Sequence, residues 1–518
     1  MSEKKSYLFR FLVICVLIIC VLIILFFISR IPKRIQRLHA TEVPLKYQFL
    51  TETITFSKAP GEKWLTKKEV EADLDELEWI LEDCYSYLHR KKVDYKTALD
   101  AVRSSVKDRI KRSQLSWKIN KVIALFGDGH SRVEDPAMKW FGSQHLPFLI
   151  EECQGRYVAF KENRTGFVDP DYPFITKIHE LPISRWLEET KESTPDASEQ
   201  FVKINSVRHL RYYGIFRREL GLTPTKSLQV QFESEDGKMH KTASLSFVKD
   251  RLLYKCWPKR DSQILTGNIG YLRLAPFMDF RQEFSDMIIQ NMNDFKNTQG
   301  LIIDIRGNGG GARNPLNVLF PFFMKPQDEP HIVNVAAYRD GVKRKECRER
   351  FELRFLYPAD SSRWTSAEKT VIQKHAKMFQ PEWVPSRKHF SPWYYFVISP
   401  PLNDERYYYY DKPVVILMES RNFSACDIFL GAFKGWRNMT LVGTPSGGGS
   451  GSAIRYRLHH SDIQVKLSSM ASFRPNGKLY DGNGIRPDIL CEPVPIDSIG
   501  KTDTMLEKAK EILCKRND

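Results

Sequence analysis

A chain of 518 residues with a formal charge of +16 exceeds what one hydrophobic core usually holds, so two or three folded units are expected. Its 42% hydrophobic and 27% charged fractions are those of a globular protein and exclude wholesale disorder. Lys and Arg are interspersed with Glu and Asp, which argues against a nucleic-acid-binding stripe. The densest basic run, VKRKECRER at 342–350, has no aromatic partner or recognised module beside it and reads as a charged loop.

In chain order, the first feature is an uncharged run of Leu, Ile, Val, Phe and Cys over residues 11–29, between Arg10 and Arg30. Its length suits a bilayer-spanning helix. Arg30, Ile31 and Pro32 follow, without the small residues of a cleavage site, so residues 1–40 read as an uncleaved anchor. Basic residues flank both ends, and charge does not set the orientation.

Residues 64–140 read as helical. Thr66 and Glu69 form a capping box, and Val70, Leu74, Leu77, Leu81, Cys84 and Leu88 follow at helical spacing. A second helix is expected from near Asp94, and a third over 116–126, ending on Gly127. The next segment, FGDGHSRVED at 126–135, holds an isolated histidine, His130, with Asp128 reading as a turn former.

Residues 146–250 carry short β-rich runs (RYVAF, FITKI, SLQVQF, ASLSFV) and one helical insert, which is the pattern of a small β domain. From 264 to 518, strands (IGYLRLA, GLIIDI, PVVILME, MTLVG) alternate with helices, which argues for an α/β layered domain. An aromatic-rich insert interrupts it at about 327–410. Nine cysteines without a CxxC pair imply neither a zinc site nor a disulfide scaffold.

Two segments could carry chemistry. In GLIIDIRGNGGGARNP, 300–315, an apolar strand empties into glycines whose bare N–H groups can meet an anion. Gly307, Gly309 and Ala312 fit a dinucleotide-binding turn, but Pro315 and Pro321 leave little room for its helix. The same glycines suit an oxyanion hole. In PVVILMESRNFSACDIFL, 413–430, Ser424 with Asp427 has the spacing of a capping box. A serine at a strand-to-helix turn can also expose its hydroxyl beside the free N–H groups of the first helical turn.

Taken in order, Asp304–Gly311 (D-x-R-x-N-x-G-G), Ser424–Asp427 (S-A-x-[ED]), Val442–Gly449 and Gly484–Asp488 (G-[IV]-x-P-D) resemble the C-terminal processing (tail-specific) and tricorn-core serine peptidases. The resemblance covers roughly residues 65–515. It implies an α/β fold with a crotonase-like (ClpP/crotonase) core, an N-terminal helical region and a PDZ-like β domain. In that domain His179 and Glu180 stand where relatives have Asn-Gly. The processing branch places a lysine base where this chain has Gly449, whereas Lys434, ten residues past Ser424 along one helix, lies about 15 Å away. The tricorn-like branch uses an N-terminal histidine. The resemblance therefore implies Ser424 as nucleophile, His130 as general base, Asp481 as orienting residue, and Ala425 with Gly309 or Gly310 as oxyanion donors.

The activity so implied is hydrolysis of peptide bonds in peptides or unfolded proteins by a membrane-anchored, single-pass endopeptidase. Its catalytic part would lie in the periplasm or otherwise outside the cytoplasm of a bacterial envelope. No cofactor, metal or nucleic acid is implied, and a homo-oligomer is compatible. The alternative on the same scaffold is a non-catalytic protein binding hydrophobic ligands or peptides.

Overall fold

The computed structural model describes residues 61–134, 144–275, 277 and 282–515. The expected anchor, 11–29, lies outside them; among the described residues no helix is long and apolar enough to cross a membrane.

The sheet that carries the site runs in the order Gln263–Leu265, Ile269–Arg273, Gly300–Asp304, Val414–Met418, Met439–Gly443, Ile489–Leu490. All neighbours but the first pair are parallel. Parallel strands are covered on both faces and therefore read as continuous apolar runs, and GLIID and VVILM are buried along their whole length. The helix Thr504–Lys515 covers the sheet with Met505, Leu506, Ala509 and Leu513. The helix Ala425–Phe433 is buried around most of its circumference, as an almost wholly apolar helix must be.

The insert forms its own antiparallel layer. Tyr357–Pro358, Tyr394–Ile398 and His331–Tyr338 pair in that order, and the last pairs Met470–Phe473. The basic run expected as a loop is a helix, Arg344–Glu352. Cys347 and Phe351, one turn apart, are its buried residues, and Phe351 packs edge-on against Tyr338 and Tyr394. Two apolar side chains anchor it; the charge density hid them.

The β domain is an antiparallel sheet of Leu149–Cys153, Arg156–Phe160, Phe174–Ile178, Leu228–Glu233 and His240–Leu245. Trp186, Phe148, Tyr213 and Phe232 sit in its core. Three α-helices stand where one helical insert was expected: Ile183–Lys191, Glu199–His209 and Tyr213–Glu219. The middle one buries only Ser206 and Val207, so its sequence shows no apolar stripe.

In the N-terminal region the Thr66 capping box is formed, with the Glu69 N–H donating to Thr66 Oγ1 at 3.3 Å and the Thr66 N–H to Glu69 Oε2 at 2.7 Å. Asp94 caps Tyr95–Ser104. The third helix, Arg112–Ala124, begins earlier than expected. Its first turn is buried through polar residues, Arg112 donating to the Asp462 carbonyl at 3.2 Å, which hydrophobic spacing cannot reveal.

Candidate active site

Ser424 follows the strand Val414–Met418 and opens the helix Ala425–Phe433 with φ +62° and ψ −116°. That backbone is strained for any residue with a Cβ, and strain of this kind clusters at functional turns. A capping serine would be extended. The expected capping box is absent: Ser424 makes no side-chain cap bond. The Asp427 carboxylate instead accepts from Ser446 Oγ at 2.5 Å and from the N–H groups of Gly448 and Gly449 at 3.2 and 3.1 Å. It thereby ties the second glycine loop to the serine helix.

The helix Arg112–Ala124 stops at Gly127, whose φ is +62°. Asp128 then builds the turn: Oδ1 accepts the His130 N–H at 3.0 Å and Oδ2 accepts the Ser131 hydroxyl. Ser131 Oγ accepts the Ser468 N–H at 3.0 Å, and the strand Arg132–Val133 pairs with Gln464–Ser468. Held this way, His130 places Nε2 3.0 Å from Ser424 Oγ. Phe423 stacks on the imidazole with 4.5 Å between ring centres, and Phe201 of the β domain packs on Phe423 at 5.2 Å. Burial first, then the charges of Lys466, Arg132 and Arg354, hold His130 well below the usual histidine range. The imidazole is therefore neutral at pH 7.

His130 Nδ1 accepts the Gly451 N–H at 3.3 Å, and Asp481 Oδ1 stands 4.0 Å away. Asp481 is buried and accepts the Ser450 N–H on both oxygens at 3.1 Å, together with the Tyr87 hydroxyl. Burial, and next the charge of Asp128, push its carboxyl up to about 7. Tyr87 escaped the sequence reading because no motif contains it; an aromatic just beyond the first helix was the only signal.

On the other side of Ser424, the motif asparagine organises the first glycine loop. Asn308 Oδ1 accepts the N–H groups of Gly310 at 2.9 Å and Phe277 at 3.3 Å. Asn422 donates to the carbonyls of Ile305 at 2.6 Å and Asn308 at 3.1 Å. A Cβ on Gly310, whose φ is +94°, would fall 2.4 Å from the Phe423 carbonyl oxygen. Of the glycines expected as oxyanion donors, Gly310 has its N–H already committed to Asn308. The N–H groups of Gly309 and Ala425 have no partner among the described residues.

Asp304 and Arg306 of the same motif act below the site. Asp304 accepts from Arg306, Arg273 and Tyr271, and Arg306 also pairs with Asp503 at 2.6 Å. Burial would raise the Asp304 carboxyl, but Arg306 and Arg273 outweigh it and bring it down to about 2.

Two other readings are weak in this geometry. The helix after the first glycine loop, Asn314–Leu319, has six residues, too short for a dinucleotide turn. Asp128, His130 and Asp481 bring ligand-type atoms within 4.8 Å of one another, yet both carboxylates are engaged by protein donors. At the position of the alternative lysine base, a Cβ on Gly449 would fall 2.3 Å from the Phe423 ring and 3.2 Å from His130 Cε1. Lys434 is paired with Asp488.

Residues 268–491 match Peptidase family S41. The S41 match contains all four motifs, Ser424 and Asp481, whereas His130 lies before it. A carboxy-terminal-processing protease of Bartonella bacilliformis is 33% identical over 86 residues, 16% of this chain and 20% of that relative; the alignment thus spans about a fifth of the curated relative. Among solved structures, mature CPAF complexed with lactacystin gives a TM-score of 0.62 at 15% identity, covering 87% of this chain and 99% of that one. Mature CPAF alone gives 0.62 at 15% identity, with 87% and 98% covered. At such identity the likeness is one of fold, a mixed α/β peptidase fold of the S41 kind.

Proposed function

We propose that this chain is a serine endopeptidase in which Ser424 attacks the peptide carbonyl and His130 takes its proton. The observation that carries the reading is the 3.0 Å approach of His130 Nε2 to Ser424 Oγ at a serine held in left-handed backbone. A serine hydroxyl becomes nucleophilic when a neutral imidazole within hydrogen-bond reach accepts its proton. The crowding at Gly449 and the pairing of Lys434 with Asp488 favour histidine over lysine as the base.

The Gly451 N–H on Nδ1 favours the tautomer with its proton on Nε2, which cannot accept from serine. Catalysis therefore asks the ring to leave Gly451 and present Nδ1–H to Asp481, a closure of about 1 Å from the present 4.0 Å. Nε2 then takes the hydroxyl proton as Oγ bonds the carbonyl carbon, and the C=O electron pair moves to oxygen. The Ala425 and Gly309 N–H groups, without other partners among the described residues, receive that oxyanion. Collapse breaks the C–N bond, and the imidazolium gives its proton to the leaving amine. Water, deprotonated by the same imidazole, then releases the acid.

In this reading residues 1–40 anchor the protein in the cytoplasmic membrane, with the catalytic part outside the cytoplasm. The core is crotonase-like and residues 146–250 are PDZ-like. His179, standing where relatives have Asn, has φ +52°. Substrates are peptides or unfolded proteins.

The test is labelling of the full-length chain with a fluorophosphonate, read by intact mass, beside turnover of an unfolded protein. Wild type is expected to gain one adduct on Ser424. Ser424→Ala and His130→Ala are each expected to lower kcat by about 10⁶-fold with the fold retained. A well-folded wild type that neither labels nor cleaves would defeat the reading.

A further inference from the structure

A cavity of about 530 Å³ opens beside the first glycine loop, walled by Gly311–Arg313 and by the helix Arg344–Glu352 with Leu353 and Arg354. It begins one residue from Gly310, whose Cβ position is 2.9 Å from Ser424 Cβ. On its other flank Arg350 reaches the Ala453 carbonyl at 3.4 Å, two residues past the Gly451 that faces His130. Its walls thus continue, in chain, the two loops that flank Ser424 and His130.

The lining is cationic and incompletely neutralised. Arg350 is paired with Glu346 at 2.7 Å, and Glu349 is exposed at the rim. Arg313 is only 4% exposed and donates to Asn334 Oδ1 at 3.0 Å and to the Arg354 carbonyl at 3.3 Å. Arg354 donates to the Arg350 carbonyl at 2.9 Å. Neither Arg313 nor Arg354 has a carboxylate partner among the described residues. Burial, then the Arg354 charge, presses Arg313 down to about 9, and burial with the Arg350 charge presses Arg354 down to about 10. A guanidinium taken out of water without a counter-ion is costly; its planar fork matches a carboxylate. Arg354 is also among the cations that hold His130 low.

We propose that this cavity is the specificity pocket and takes a carboxylate of the substrate, received by Arg313 and Arg354. The carboxylate is a Glu or Asp side chain beside the scissile bond. The proposal rests on the serine-peptidase reading and names its substrate class. A carboxylate bound there also offsets the Arg354 charge felt by His130, so an occupied pocket makes the imidazole a better base.

The experiment uses fluorogenic peptides that differ only by Glu, Gln, Leu or Lys on either side of the scissile bond, each with a free or amidated C terminus. With full-length wild type, Glu is expected to exceed Gln in kcat/KM by about 10–100-fold at one of these positions. A free-acid peptide that exceeds its amide while Glu and Gln are cut equally would overturn the side-chain assignment. Arg354→Gln should bring the preferred ratio close to one, and Arg354→Lys should restore part of it. Equal rates across the acid, amide and C-terminal pairs in an enzyme that labels with fluorophosphonate would overturn the pocket while leaving the peptidase reading intact. If wild type does not label, peptide binding to Ser424→Ala by fluorescence anisotropy decides the pocket alone. Tighter binding of the carboxylate peptide, lost in Ser424→Ala/Arg354→Gln, supports it, and equal binding overturns it.

Discussion

The buried carboxylate Asp304 and the pair Asp427 and Asp481 are treated in opposite ways. Asp304, at the end of the strand Gly300–Asp304, is met by two guanidinium groups and held down to about 2. Asp427 and Asp481 at the second glycine loop are met only by hydroxyls and backbone N–H groups, and burial lifts both to about 7. The first is a permanent ionic brace. The second can change charge near neutrality, and the proposed mechanism asks Asp481 to carry charge there.

The largest stability effect is expected from breaking the brace. Asp304→Asn leaves Arg306 and Arg273 buried with less compensation and should cost about 3–5 kcal/mol, read by denaturant unfolding. Because the folded pKa is depressed, the stabilisation from Asp304 is present above about pH 4 and is lost only as pH falls towards 2. A wild-type enzyme that loosened at pH 6 through this cluster would contradict the contrast.

Asp481→Asn should change chemistry more than fold. Burial and neighbouring cations hold His130 well below the usual histidine range, so a rise of kcat/KM with pH near 7 is expected from Asp481, whose carboxyl is pushed up to about 7. The variant should lose about 100-fold at pH 8 and much less at pH 6, with the rise near 7 gone. A rise unchanged in the variant would reassign it to another group.

The remaining effect concerns Asp427. Its folded pKa is raised, so between about pH 4 and 7 the folded state holds a proton that the unfolded chain has released, and stability falls as pH rises. Asp427→Asn should flatten the stability profile in that interval by up to about 1.4 kcal/mol per pH unit. Thermal melts at pH 5, 6 and 7 read it. An equal slope in the variant would show that Asp427 is ionised throughout.

The sequence made the short-range features legible. The Thr66 capping box, the Asp94 cap, the stop at Gly127 and the buried strands of the core follow from neighbours a few residues apart. Ser424 and His130 were legible only because the four motifs come in a recognisable order; nothing local connects them. The Ser424–Asp427 spacing misled, since Asp427 finds better donors in a loop some 20 residues on. Phe201 and Tyr87 reach the site from the β domain and the N-terminal region, and such contacts leave no trace in periodicity. The helix at 344–352 was hidden by its own charge.

The space beyond Gly449 has one further meaning. Under the proposed mechanism, the aromatic platform of Phe423 and the imidazole of His130 fill the volume in which a lysine side chain would start, so the two ways of activating this serine exclude each other by occupancy. A line of descent passing from one to the other through single replacements at these positions would cross an inactive intermediate. Such a protein would have gained a lysine that displaces the histidine, or lost the histidine before any amine could reach the hydroxyl.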